Sequence, residues 1–369
     1  MSSNREVQIT GAPKKIPHLH LIVILLTLAG VALFSYFVYS VGAGEIFKGV
    51  ERFGFDGFAF ILFLYFMRIL ARSAAWRLSV YEPYRLSLRD AIGAVIIGEA
   101  LSSMIPLGIL ISGATKAIVV RKKIPLVAGL SSVATENLFY CLGTGFLLIF
   151  GAIAFLKTFQ LSAGWTITLD ALIALVFLLI FFGILMIIRQ WHWASAVCEW
   201  LYERGYLTKI LENGRLHVRL FENLIYGFYR RYPQRFVPIF LLQILFHALG
   251  VAEVWFVLSR ISDTPTGFYT AFLLESMSRV IIVVFKLIPF LIGVDEAGAR
   301  YVTQTLRLGA EVGVTLAIIR KGRILFWAAI GVILILKRGL SVREIFRQSE
   351  LTGNFANEEK NVVATGKFG

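Results

Sequence analysis

Apolar positions along the chain gather into eight runs, each divided from the next by a charged or polar interval. A bilayer crossing takes about 20 apolar residues. Four runs meet that length plainly: 19–40, 168–188, 236–259 and 312–336. Two more predict crossings with a complication. The run 57–80 carries Arg68, Arg72 and Arg77, and 126–156 is long enough to cross with tilt. The last two, 91–113 and 267–292, are broken near their far ends by Ile105-Pro106 and Ile288-Pro289. Proline removes a helix hydrogen bond, and in lipid the freed carbonyls need protein or water as partners.

Loop charge decides how the two broken runs sit, because cytoplasmic loops collect Lys and Arg. If both cross, the loops carry 13 basic residues inside and 16 outside. If both dip in and return on the same side, the inner loops carry 23 basic against 11 acidic residues, and the outer ones 6 against 7. The second arrangement wins. It predicts an all-α polytopic membrane protein with six spanning helices, two Pro-broken re-entrant segments and both termini in the cytoplasm. The first re-entrant segment would enter from the cytoplasm and the second from outside, each between two crossings. Stretches 57–156 and 236–336 then become an inverted repeat, the arrangement of alternating-access transporters. A cytoplasmic segment (1–18), a linker (190–235) and a polar tail (337–369), disordered beyond Phe346, complete the organisation.

Composition agrees. Of 369 residues 57% are hydrophobic and 16% charged, with a mean hydropathy of +0.75, where soluble domains hold about 25% charged residues. A disordered chain and a nucleic-acid-binding tail are excluded. Cys141 and Cys198 are the only cysteines, and the five histidines show no metal-ligand spacing, so no disulfide framework, metal or cofactor is expected. No cleavable signal peptide is expected over 19–40, which is too long for one. Gly108-x4-Gly113-Ala-Thr-Lys116 resembles a phosphate loop only superficially, since its lysine is displaced and the segment is apolar.

The chemistry resides in thirteen ionisable side chains within the apolar runs. A charge at the centre of a spanning helix costs about 2.5–3.5 kcal/mol even on a lenient scale. Arg72, Arg77, Asp170 and Arg323 are expected to snorkel to an interface. Glu99, Glu136, Glu253, Glu275, Arg279, Lys286 and Arg320 are too deep for that. They either pair to lock helices or line a wet cavity. Glu275 and Arg279, four apart, share a helix face and suit a structural bridge. Glu136 and Arg320 follow their prolines by 30 and 31 residues, which predicts that they meet as an opposite pair. Lys116 with Arg121–Lys123 reads as interfacial charge that sets topology, or as a grip on an anionic headgroup. In the linker, Trp193, Val197, Trp200 and Leu201 share one face and Leu216, Leu220, Leu224 and Phe228 another, predicting two amphipathic helices on the inner leaflet.

Glu99-x6-Pro106, followed by Gly113, Lys116 and a helix bearing Glu136, resembles the first signature of the membrane region of lysylphosphatidylglycerol synthase-type proteins. Ile288-Pro289, then Gly293-Val-Asp-Glu296 and a helix bearing Arg320, resembles the second. The resemblance covers nearly the whole of 19–336. It implies a flippase-like membrane region that moves an aminoacylated or other phospholipid between leaflets, with substrate-site candidates Glu99, Pro106, Gly113, Lys116, Glu136, Glu275, Arg279, Lys286, Pro289, Glu296 and Arg320. The chain is expected to lack the cytoplasmic aminoacyltransferase domain and so not to synthesise lysyl lipid by itself. It also reads Ser112-Gly113-Ala114-Thr115-Lys116 where the family usually carries a Gly-Gly pair and an arginine.

The leading expectation is a bacterial inner-membrane lipid translocase with a central polar cavity. Its partners would be a membrane lipid, anionic or aminoacylated, and either a second copy or a lipid-biosynthetic protein, with no nucleic acid. Two other readings compete. One is an integral-membrane lipid-modifying transferase using Asp295 or Glu296, and the other a non-transporting membrane partner of an envelope-biosynthetic complex.

Overall fold

A computed structural model of the chain describes residues 39, 43–104, 108–159, 163–204, 208–284 and 293–337. The predicted crossing at 19–40 apart from residue 39, both Ile-Pro pairs, Lys286 and the tail beyond 337 lie outside the described residues. Among the described residues every regular element is a helix: α1 (Ala43–Leu78), α2 (Leu88–Met104), α3 (Gly108–Val120), α4 (Leu126–Thr158), α5 (Ala163–Arg189), α6 (Trp193–Glu203), α7 (Thr208–Arg231), a 3-10 turn (Pro233–Arg235), α8 (Phe236–Ile261), α9 (Phe268–Val284), α10 (Val294–Thr305) and α11 (Ala310–Lys337).

Four segments are long and apolar enough to cross a membrane: Val50–Leu78, Leu126–Thr158, Thr166–Arg189 and Pro233–Ile261. The first begins inside α1, which kinks at Gly54, where a φ of 72° suits a residue without a Cβ. The expected crossing over 312–336 forms α11 but is not among the four; it carries Arg320, Lys321 and Arg323 in succession.

Both broken runs form helical hairpins that extend further than the sequence reading allowed. In the first, α2 packs against α3, with Gly98 so near Ser112 that a Cβ there would lie 3.1 Å from its carbonyl oxygen. The Ser87 hydroxyl accepts the Asp90 N–H to cap α2, and Asp90 binds Lys123 at 2.5 Å. The two ends of the hairpin thus meet. The second arm runs to Val120 rather than stopping at Gly113, so Lys116 lies within it and is buried, not at the interface as expected. In the second hairpin α9 packs on α10. Residues Val294–Thr305, beyond the second broken run, form the helix α10. Gly293 (φ 81°) caps its start and donates its N–H to Glu296 Oε2 at 2.8 Å.

The neighbours of these helices come in matching sets. α1 lies along α8. Each hairpin contacts its preceding crossing (α1 with α2, α8 with α9) and its following helix (α3 with α4, α10 with α11). The first arms also reach across, α2 to α11 and α9 to α4. Small residues permit these approaches. A Cβ on Gly331 of α11 would sit 2.4 Å from that of Ala100 in α2. Gly331→Leu is therefore expected to destabilise by about 1–3 kcal/mol through overpacking. Gly164→Leu, where a Cβ meets nothing, should be neutral; thermal unfolding of the detergent-solubilised protein compares them.

Between α5 and α8, the α6–α7 pair is pinned by Glu222, which accepts the N–H groups of Ala194 and Ser195 and the Ser195 hydroxyl. Trp193, Val197 and Trp200 are exposed along one side, in line with the amphipathic reading.

Candidate functional site

The site assembles where α1, α2, α9, α10 and α11 converge on the aromatic residues Tyr140 of α4 and Phe246 of α8. There a cavity of about 230 Å³ is lined by five arginines (Arg68, Arg72, Arg279, Arg320, Arg323) and three carboxylates (Glu99, Glu275, Asp295). Helical spacing explains the α1 contribution: Tyr65, Arg68 and Arg72 recur every three or four residues and so share one face.

Two ion-pair networks surround the cavity. In the first, Arg72 donates to Glu99 and to Glu136, each at 3.2 Å, and to Asn137. Lys116 reaches Glu136 at 3.4 Å, and Gln243 of α8 donates to the same carboxylate at 3.1 Å. Glu99 also accepts the Tyr65 hydroxyl at 2.8 Å. In the second network Glu275 accepts from Arg279 at 2.7 Å and from Arg320. Glu253 accepts from Arg68 at 3.2 Å and from Arg323. Rings cover the guanidinium faces. Arg68 lies 4.4 Å from the Phe246 centroid, Arg72 4.7 Å from Tyr140, and Arg323 4.3 Å from Tyr65, distances suited to cation–π attraction.

Of the residues singled out by sequence, Glu99, Glu275, Arg279 and Arg320 come together on the cavity wall. Glu136 and Lys116 are fully buried behind it and paired to each other. Glu296 is buried too, holding Lys321 at 2.5 Å and the α10 N-terminus. Gly113 sits half-buried in α3 beside Val133. Pro106, Lys286 and Pro289 lie outside the described residues.

Two expectations need correction. Glu136 and Arg320 do not pair; Glu136 belongs to the first network and Arg320 to the second. Arg72 and Arg323 do not snorkel: Arg323 is buried on Glu253, and Arg72 bridges Glu99 and Glu136. Only Arg77 and Asp170 of that group are exposed. Sequence reasoning therefore left Arg68, Arg72, Arg323 and Tyr65 out of the site, and named Asp295 only for the transferase reading. The i, i+4 recurrence of Arg68 and Arg72 within an apolar run was the available signal.

The model of the lysylphosphatidylglycerol synthase transmembrane region matches residues 21–331. The chain belongs to this family. Among curated proteins and among solved structures nothing matches it. Membership places the chain among membrane proteins related to lipid synthesis or translocation.

Proposed function

We propose that the chain is a bacterial inner-membrane lipid translocase that carries a headgroup through the arginine-rich cavity while the acyl chains remain in the bilayer. One observation carries the reading: a wall of charged side chains encloses a cavity at the junction of two helical hairpins, among helices apolar enough to span. Charges at membrane depth are costly unless they pair or face a polar path, and here they do both. The proline breaks and the balance of loop charge support hairpins which dip in and return, entering from opposite sides. The matched neighbour sets support an inverted repeat of 57–156 and 236–336 with six crossings, the frame on which alternating access operates. Against the transferase reading, one of its two carboxylates, Glu296, is held by Lys321 and by the α10 N-terminus.

Reconstitution of the purified protein into liposomes doped with fluorescent phospholipids tests the function. Protein-dependent loss of the inner-leaflet signal to an impermeant quencher is expected, and its absence across a panel of headgroups sinks the proposal. Topology is checked separately. A cysteine at Lys122 should resist an impermeant thiol reagent applied from outside, and one at Arg307 should react.

A further inference from the structure

We infer that the cavity is a receptor for the phosphate of a net-anionic phospholipid, with Arg68 and Arg323 as its grip. This rests on the translocase reading and names its substrate class. Five guanidiniums face three carboxylates on the wall, with Glu136 and Glu253 behind it pairing with Arg72, Arg68 and Arg323, and all five cations are arginine. Arginine presents a planar fork of five N–H donors that matches phosphate oxygens, whereas lysine would supply a point charge.

Donor saturation tells the two signs apart. Glu99 is occupied by Arg72 and Tyr65, and Glu275 by Arg279 and Arg320. A cationic headgroup would find Glu99 and Glu275 already engaged, with Asp295 the remaining carboxylate on the wall. The arginines are not saturated. Arg68 and Arg323 come from different halves of the chain and share a single acid, Glu253. Both are more than nine-tenths buried, and among the described residues the Nε donor of each, itself sealed from solvent, has no hydrogen-bond partner. Buried polar groups are nearly always satisfied, and leaving a donor next to a guanidinium charge without an acceptor is costly. Two such donors on one cavity wall fit an acceptor that arrives with the ligand. The neighbouring rings of Tyr65 and Phe246 hold the guanidinium planes in place, so the forks are set before binding.

A phosphate could reach the site as a lipid headgroup or as a free ion, and binding distinguishes them without requiring transport. Dioctanoyl phosphatidylglycerol, dioctanoyl phosphatidylcholine, dioctanoyl lysylphosphatidylglycerol and glycerol phosphate are titrated against the intact chain in a neutral detergent, read by tryptophan fluorescence (Trp327 lines the cavity) and by native mass spectrometry. Phosphatidylglycerol should bind about tenfold more tightly than the zwitterionic and cationic lipids, and Arg323→Gln should remove roughly that factor. Arg323→Lys, which keeps the charge, checks that the loss reflects the fork and not a misfolded variant; it should recover only part of the preference. Equal or tighter binding of the zwitterionic or cationic lipid overturns the inference even if leaflet exchange occurs. Equal binding of glycerol phosphate assigns the site to a soluble anion and overturns the lipid source. Selective binding of phosphatidylglycerol without exchange leaves the receptor standing and removes the translocase reading instead.

Discussion

Glu253→Gln is expected to be the most damaging single substitution in the core of the protein, abolishing a cooperative thermal transition or lowering stability by about 3–5 kcal/mol. The reason is arithmetic at one carboxylate. Glu253 is 1% exposed and accepts from Arg68 on α1 and from Arg323 on α11. Its removal strands two guanidiniums at membrane depth, and a buried charge deprived of its partner costs about that much. Arg68 tied to Glu253 also links α1 to α8, which pack along each other, so the loss falls on the seam between the halves of the chain. Arg323→Gln leaves Glu253 with Arg68 and should cost much less. Thermal unfolding with size-exclusion behaviour in detergent measures both, and a Glu253→Gln protein as stable as the parent would show that the pairs contribute nothing to folding.

That contrast turns on connectivity, which is where sequence reading stopped. The all-helical class and the positions of the described helices were legible because hydrophobic run length acts locally. Depth was legible for Glu99, Glu275, Arg279 and Arg320, since all lie far from the ends of apolar runs, and these four reach the cavity wall. Partners were not. Equivalent chain positions suggested joining Glu136 to Arg320, yet the acid nearest to Arg320 in space comes from α9, and Glu136 is met by Arg72, Lys116 and Gln243 from three other helices. Crossing distances between helices are not encoded in spacing along one helix. Snorkelling failed for a related reason. Arg72 and Arg323 lie as deep in their runs as Glu99 and Arg320 do, and each finds an acid on a neighbouring helix. Lys116 was placed at an interface because the apolar run ends at Gly113, whereas helix α3 continues and takes the lysine inward to Glu136.

Arg320→Gln is expected to eliminate lipid exchange while leaving the fold nearly intact, the reverse of the Glu253 result. Glu275 retains Arg279 at 2.7 Å, one turn away on its own helix, so no acid is stranded and the cluster becomes a neutral pair. The stability change should stay within about 1–2 kcal/mol, the scale of one lost hydrogen bond to a charged group. The cavity, however, loses one of its five guanidiniums at a position on α11 that faces the α9 hairpin arm. Glu136→Gln supplies the opposing case: it lies behind the wall, and its loss leaves Lys116 buried without a counter-charge, so stability should fall by about 3–5 kcal/mol. Adding Lys116→Met to Glu136→Gln leaves Arg72 on Glu99 and should recover both stability and exchange. A double-mutant cycle then locates the coupling. Glu275 with Arg320 should interact by at least about 0.5 kcal/mol, and Glu136 with Arg320 should be additive within about 0.5 kcal/mol. Normal exchange by Arg320→Gln, measured in the same liposomes that report the parent rate, would take the translocation path away from this cavity.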